Sequence, residues 1–284
     1  IKVNDFDLDF IDEVAGMETS VEVGTLGLKM EVFDLANLSF HASEAVLSDS
    51  RISYIRTKPF PEDVDEEEVP LPYIIADELF MNNVVAYYES VPSGLKADLD
   101  IGDLSLELPV ADLTENIIKI NYFHLKDSEV AIVTSTEAPM ERADATMEEE
   151  EEDLQDFKWP PWEITVKEIL LNNDDIAYNV EGVQSRKGEF NPQAMDFRNL
   201  QLVGTDIFLK EAAAGGRLRE MAFRETSGIR LRNSALTFSL DEDALDLDQL
   251  KVDLNNNRLK GDLRLDYASL QDFIDTPENA RITA

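Results

Sequence analysis

Apolar and polar residues alternate with a period of two over much of this chain. Phe6, Leu8 and Phe10 interleave with Asp5, Asp7 and Asp9, and the same rhythm returns at Leu26, Leu28, Met30 and Val32. It recurs at Leu104, Leu106 and Leu108, at Ile118, Ile120 and Tyr122, and at Leu259, Leu263 and Leu265. A period of two puts every second side chain on one side of an extended backbone, so each run predicts a strand with one apolar and one polar side. Helical signals are few. Residues 268–275 predict a short helical turn with Ser269 as its cap. Residues 207–214 fit either period, and Gly215-Gly216 predicts a turn between strands. The expected fold class is all-β with little helix.

The strands are punctuated by a recurring octapeptide: apolar, any, Asp/Asn, small or polar, any, apolar, any, aromatic or aliphatic. It occurs as LSDSRISY (47–54), FMNNVVAY (80–87), LKDSEVAI (125–132), LNNDDIAY (171–178) and LRNSALTF (231–238), with a degenerate copy LNNNRLKG at 254–261. Asn, Asp and Ser bond their own backbone and tolerate turn or bulge dihedrals, so each octapeptide predicts two strand pieces joined by a local irregularity. A larger duplication lies beneath. Residues 23–57 align without gaps on 101–135, matching Gly24 with Gly102, Asp34 with Asp112, Asp49 with Asp127 and Ser50 with Ser128. Each copy is followed by an acidic segment, a proline-containing lead-in (VPLPY at 69–73, WPPWE at 159–163) and another octapeptide. Such repeats stack, each unit burying its neighbour's apolar edge. The expected organisation is one elongated array over residues 1–284, with units near 19–90, 97–182 and 196–275. Two acidic loops, about 58–70 and 135–158, are expected to project from it as solvated, mobile segments.

Charge narrows the function. Sixty acidic residues stand against 25 basic ones, a net charge of −35. This excludes nucleic acid as the expected partner and disfavours adhesion of the outer surface to anionic headgroups. Any lipid should then be held by its tails. With no cysteine there is no disulfide, thiolate metal site or cysteine nucleophile. No stretch has the apolar length of a membrane helix, and IKVNDFDLDF lacks a signal-peptide plan. An envelope protein would therefore carry its anchor outside this stretch.

Signs of catalysis are missing. His41 and His124 do not share a repeat position, and no phosphate-binding, nucleophile-elbow or zinc-protease motif occurs. Asp5, Asp7 and Asp9 are spaced like the start of a calcium loop, but Phe10 and Gly16 stand where such a loop needs Gly and Glu. They read instead as a polar strand face. Trp159 and Trp162 flank a Pro-Pro pair, where packing at the start of a strand is the simpler reading and a lipid or sugar platform the alternative. The chain is expected not to be an enzyme and to use no cofactor or metal.

The repeated strand-plus-octapeptide pattern resembles the AsmA-like superfamily, and in particular TamB-like proteins of the Bacteroidota type. The most specific stretch lies between 218 and 275: Glu225-Thr226-Ser227-Gly228, then Leu259-Lys260-Gly261-Asp262-Leu263, then Tyr267-Ala268-Ser269-Leu270. The chain departs from the family in its long acidic insertions and in lacking the membrane anchor and characteristic C-terminal domain, which makes it resemble an internal fragment. The resemblance implies a β-sheet curled into an open, apolar groove, a β-taco. It also implies an inner-membrane-anchored protein crossing the periplasm of a Gram-negative envelope. Phospholipid acyl chains would be the cargo, and an outer-membrane barrel of TamA/BamA type the partner.

Candidate groove residues are Leu26, Leu28, Met30, Leu104, Leu106 and Leu108, with Ile52, Val130, Ile176 and Leu236 from the octapeptides. An ordinary closed β-core would use the same residues. Which face points inward at each octapeptide stays open at this stage, because a one-residue slip inverts the set. Other readings of the same pattern are a scaffold for outer-membrane protein assembly by strand-edge pairing, a surface β-solenoid with calcium in its acidic loops, and, last, a hydrolase.

Overall fold

The computed structural model describes residues 1–59, 71–135 and 158–284. Fourteen strands make up one sheet: β1 (Lys2–Asp12), β2 (Met17–Asp34), β3 (Ser39–Arg56), β4 (Tyr73–Ser90), β5 (Leu95–Asp112), β6 (Ile117–Lys126), β7 (Glu129–Thr134), β8 (Glu163–Val180), β9 (Ala194–Lys210), β10 (Ala213–Glu225), β11 (Arg230–Asp241), β12 (Ala244–Leu254), β13 (Asn257–Asp266) and β14 (Arg281–Thr283). They lie side by side in chain order, with β6 and β7 sharing one position between β5 and β8. An 18-residue strand such as β5 is roughly 60 Å long, and the stacked strands span roughly 50–60 Å across. The protein is all-β and long-sheeted. Among the described residues α-helix is confined to α1 (Leu270–Asp275), whose cap is the expected one: Ser269 accepts from the Asp272 amide at 3.1 Å.

Most neighbours are antiparallel, but β3–β4 and the β6/β7–β8 pair are parallel. The duplication is therefore a duplication of topology: hairpin β2–β3 then parallel β4, and hairpin β5–β6/β7 then parallel β8. The lead-ins dock identically, with Tyr73 donating to Leu38 O (2.9 Å) and Glu163 to Asn116 O (2.8 Å). Strands β9 to β13 continue as an antiparallel meander without the parallel step. The acidic segments join the ends of the two parallel pairs, and their expected looping falls largely outside the described residues.

The octapeptides explain how the sheet keeps one apolar face. In LSDSRISY, Leu47 and Ile52 are five residues apart, which in a regular strand would put them on opposite faces. Asp49 absorbs the odd residue by turning left-handed, at φ 50°. The step from Leu47 to Ser50 then takes three residues, and Ser50, Ile52 and Tyr54 follow on the same side. Asn83, Asp127 and Asn173 do the same in β4, β6/β7 and β8, as do Asp5 in β1 and Asn199 in β9, all with φ between 50° and 61°. In β2 and β5 the partners at this level are Gly24 and Gly102, matched in the duplication. A Cβ on Gly24 would stand 2.5 Å from Asp49 O, and one on Gly102 would run into Asp127 O. Because each strand takes its extra residue at the same level, pairing survives on both sides: Ser48 and Ser50 face Asn82 and Val84, which face Asp103 and Ile101. Side chains tie the line together, Asn83 Nδ2 donating to Asp49 Oδ1 (2.6 Å) and Asn173 Nδ2 to Asp127 Oδ1 (2.7 Å).

The hairpin turns share a second device. Asp12, Asp34, Asp112 and Asp241 each turn a carboxylate oxygen onto two amides of the following residues, at 2.8–3.2 Å. Asp34 and Asp112 are another matched pair of the duplication. The Glu225-Thr226-Ser227-Gly228 turn is held by the Glu225 carboxylate, which accepts from Ser227 N (2.8 Å) and Thr226 Oγ1 (3.2 Å). Burial pushes this carboxyl up, but the hydrogen bonds from Ser227 and Thr226 outweigh it and hold the group below the usual glutamate range.

Three expectations are corrected. Gly215 and Gly216 do not form a turn; the chain reverses at Glu211-Ala212 and both glycines lie inside β10. They are small because Phe208 and Ile207 of β9 pack where their Cβ atoms would be. In FMNNVVAY the frame is one residue late: Asn83 carries the left-handed backbone, so Met81, Val84, Ala86 and Tyr88 take the positions assigned to Phe80, Asn83, Val85 and Tyr87. LNNNRLKG is no interruption within a strand but the β12–β13 hairpin, with Asn255 left-handed at its tip.

If close approach is what requires glycine here, Gly24→Ala and Gly102→Ala should each cost about 1–3 kcal/mol in urea unfolding. Gly27→Ala, whose new methyl would meet Val46 Cβ at an ordinary 3.8 Å, should be near neutral. Equal costs at all three positions would refute the crowding explanation.

Candidate functional site: the apolar face

All ten candidate residues fall on one face, in four rows of directly paired positions. The row through Leu26 and Leu104 is continuous from Val3 on β1 to Leu259 on β13, with Ser234 its single polar member. Leu28 and Leu106 share a second row, which reaches Leu236 through Phe123, Ile169, Gly204 and Leu218. Met30 and Leu108 are joined through Ala42 and Ala76. Ile52, Val130 and Ile176 form the fourth row with Ala86 and Leu99. The face that sequence alone could not choose at each octapeptide is thus the same throughout.

Among the described residues no second sheet covers this face. Substantial backbone contact is confined to hydrogen-bonded neighbours and to α1 with the 3-10 turn Pro277–Asn279. The ten candidates are accordingly half-buried, neither sealed nor freely exposed. Toward the flanks the face opens further, with Phe6, Leu8 and Phe10 of β1 at 44–47% exposure and Leu259 of β13 at 57%.

Burial is deepest in a row absent from the sequence-based list. Val23, Ser50, Val84, Ile101, Ser128, Asp174 and Leu200 sit beside the left-handed line, and all are buried. Around them Val84, Ile101, Leu125, Leu171 and Leu200 form the core cluster, flanked by Leu99, Leu104, Phe123 and Ile176. In a single layer such burial comes from the larger side chains of neighbouring rows packing over these smaller ones, so this row is the floor of the apolar face. Part of it was legible: the fourth octapeptide position, taken as a turn residue, points to the floor at Ser50, Ser128 and Asp174. Steps with an apolar fourth residue, Phe197 to Leu202 and Leu247 to Val252, were missed because the pattern demanded a polar one.

Asp174 is the only ionisable group on the floor and is fully buried. Its two oxygens accept from the amides of Ser128 (2.9 Å) and Asn172 (2.8 Å). Burial pushes its carboxyl up, partly offset by those two hydrogen bonds, and the charges of Asp127 and Asp175 raise it further.

The opposite face is polar. Asp7, Glu22, Arg51, Asp100, Glu129, Asp175 and Arg198 lie along one of its rows. Each histidine bridges a parallel pair there, His41 to Asp77 at 2.9 Å and His124 to Glu168 at 2.7 Å. Trp159 donates from its indole to Glu242 at the β11–β12 turn. Among the described residues no group of three or more His, Asp and Glu has metal-binding geometry, and no helix is long and apolar enough to cross a membrane.

A carboxyl whose folded pKa is raised binds its proton more tightly in the folded state. Asp174 therefore weakens the fold as pH rises through its folded value, and the deficit vanishes below the unfolded value. As pH rises above the ordinary aspartate range, wild type should lose stability relative to Asp174→Ser, the residue found at Ser50 and Ser128. Parallel stability curves for the two proteins would contradict this.

Compared with known proteins, the chain matches no protein family, no curated sequence and no solved structure.

Proposed function

We propose that this protein is a lipid-holding segment: its apolar face takes up acyl chains of phospholipid and lets them move across the strands. The observation that carries the reading is the set of apolar rows left half-open on one face of a single-layer sheet. Strongly twisted open sheets of more than about ten strands curl, split or flatten, and curling around the floor row would turn this face into a groove. Each methylene taken from water contributes about 0.8 kcal/mol. A tail of about 16 carbons is then held by area alone, without a fixed contact. The resemblance to TamB-like proteins points the same way, and with it to a periplasmic setting between two membranes and to a barrel of TamA/BamA type.

A second reading rests on a separate observation. Among the described residues β14 covers β13 only at Arg264–Asp266, which leaves the rest of that strand's outer edge without a hydrogen-bonded neighbour. Open edges can accept a further strand, as a scaffold for nascent outer-membrane barrels would.

The deciding experiment is mass spectrometry of organic extracts from the purified protein exported to a bacterial periplasm. Leu106→Asp and a polar-face control, Asp100→Lys, are carried alongside. The lipid reading expects near-stoichiometric phospholipid in the parent and the control, and a loss of at least tenfold in a still-folded Leu106→Asp. A lipid-free parent would sink it and favour edge pairing, to be followed by binding of barrel-strand peptides.

A further inference from the structure

The apolar face ends differently at its two flanks. One step outward from the Ile52 row, Thr19, Tyr54, Tyr88, Ala97, Ile132 and Tyr178 are directly paired from β2 to β8. Alternation from Ile52, Ala86 and Ile176 puts the three tyrosines on the apolar side. The opposite flank lies one step outward from Ala42 and Ala76. There Phe40, Ile74, Ala111, Ile118, Ile164 and Leu209 are directly paired from β3 to β9, and these six are all hydrocarbon. Side-chain hydroxyls border the face on one flank only.

Tyr54 and Tyr88 come from adjacent parallel strands, and their rings stack at 5.6 Å with planes 9° apart. Their hydroxyls have no hydrogen-bond partner among the described residues. Tyr87 and Tyr267, by contrast, donate theirs to Glu89 and to Asp241 O. Tyr178 meets the Thr134 hydroxyl at 3.2 Å. In that pair one O–H can donate to the other, which leaves the second unspent. A tyrosine at the border of an apolar surface keeps its ring on hydrocarbon and offers its O–H to a polar neighbour.

We propose that the row of Tyr54, Tyr88 and Tyr178 is the edge at which the ester oxygens of a bound glycerolipid sit, with its acyl chains pointing across the floor. The inference rests on the lipid-holding reading and adds a class of guest, an acyl ester, and a single orientation. Ester carbonyls accept hydrogen bonds and donate none, which matches unspent O–H donors; the Phe40 row offers them nothing. The floor at Ser50 lies four residues from Tyr54, about 13 Å at 3.3 Å per residue. The tails of one leaflet fill about 15 Å, half the apolar thickness of a bilayer. A chain anchored at the tyrosine row therefore lies over the Ile52 row and the floor, and movement across the strands carries its ester end along this edge.

The test uses the full chain exported to a bacterial periplasm beside the triple variant Tyr54→Phe, Tyr88→Phe, Tyr178→Phe, which removes three hydroxyls and keeps three rings. Tyr87→Phe, at the same level on the other face, is the control. Copurified phospholipid is measured by mass spectrometry, and uptake of pyrene, an apolar probe without oxygen, by fluorescence. Phospholipid is expected to fall at least about fivefold in the triple variant, the effect of about one net hydrogen bond. Pyrene uptake should stay at the parent's level, and Tyr87→Phe should keep the parent's phospholipid. Phospholipid retained in the triple variant would overturn this inference and leave the lipid-holding reading standing, whereas a lipid-free parent would remove both. Equal loss of phospholipid and pyrene would also overturn it, since the hydroxyls would then serve the face rather than the ester.

Discussion

The structure depends on a steric constraint: apolar residues spaced by an odd number can share a face of a sheet only if the strand gains a residue between them. The octapeptides impose that spacing, and a left-handed Asp or Asn absorbs it. One strand doing this alone would lose register with its neighbours. Here β1 to β9 do it at one level, so Asp49 meets Asn83, and Asp127 meets Asn173, with intact pairing on either side. The glycines follow from the same constraint, since Gly24 and Gly102 lie where a neighbouring carbonyl comes too close for a Cβ. The apolar rows, the floor beside the line and the acidic reverse face are consequences of this concerted step.

Much of this was legible in the sequence because it is written in period and repetition. Alternation identified the strands, and the duplication identified Gly24, Asp34, Asp49 and Ser50 with their counterparts before any structural reason for them was known. The residues that misled are those whose role is set by a neighbouring strand. In FMNNVVAY, doubled residues at both ends make two frames equally apolar. The choice of Asn83 over Asn82 is made by Gly102 on β5 and Asp49 on β3. Gly215-Gly216 has the composition of a turn, but its smallness answers Phe208 and Ile207 across the strand pair. The ten candidates share a face because alternation sorts faces locally. The floor was not foreseen, because its members include Ser50, Ser128 and Asp174, which look like surface residues until their hydrogen bonds are seen.

A single-layer sheet with one apolar face is exposed to aggregation, through that face and through its edges. The charge of −35 is the general countermeasure. It is concentrated on the polar face, where Asp7, Glu22, Asp100, Glu129 and Asp175 lie along one row. The region of β10 to β13 departs from this scheme, since nine basic residues there are interleaved with ten acidic ones.

On the lipid-holding reading proposed above, the floor must not present unsatisfied polar groups, since each would trap water or a headgroup and interrupt movement. The floor row contains three polar side chains among the described strands β3 to β8, and each is turned onto the backbone. Ser50 donates to Ser48 O at 2.8 Å, and Ser128 donates to Lys126 O at 3.0 Å while accepting from Gly102 N at 3.0 Å. Asp174 spends both oxygens on the amides of Ser128 and Asn172. These groups close the backbone hydrogen bonds opened by the left-handed step. The device that keeps the strands in register therefore also removes its own polarity from the apolar face. A guest tail would meet the floor as continuous hydrocarbon, interrupted only by polar atoms whose hydrogen bonds are already made.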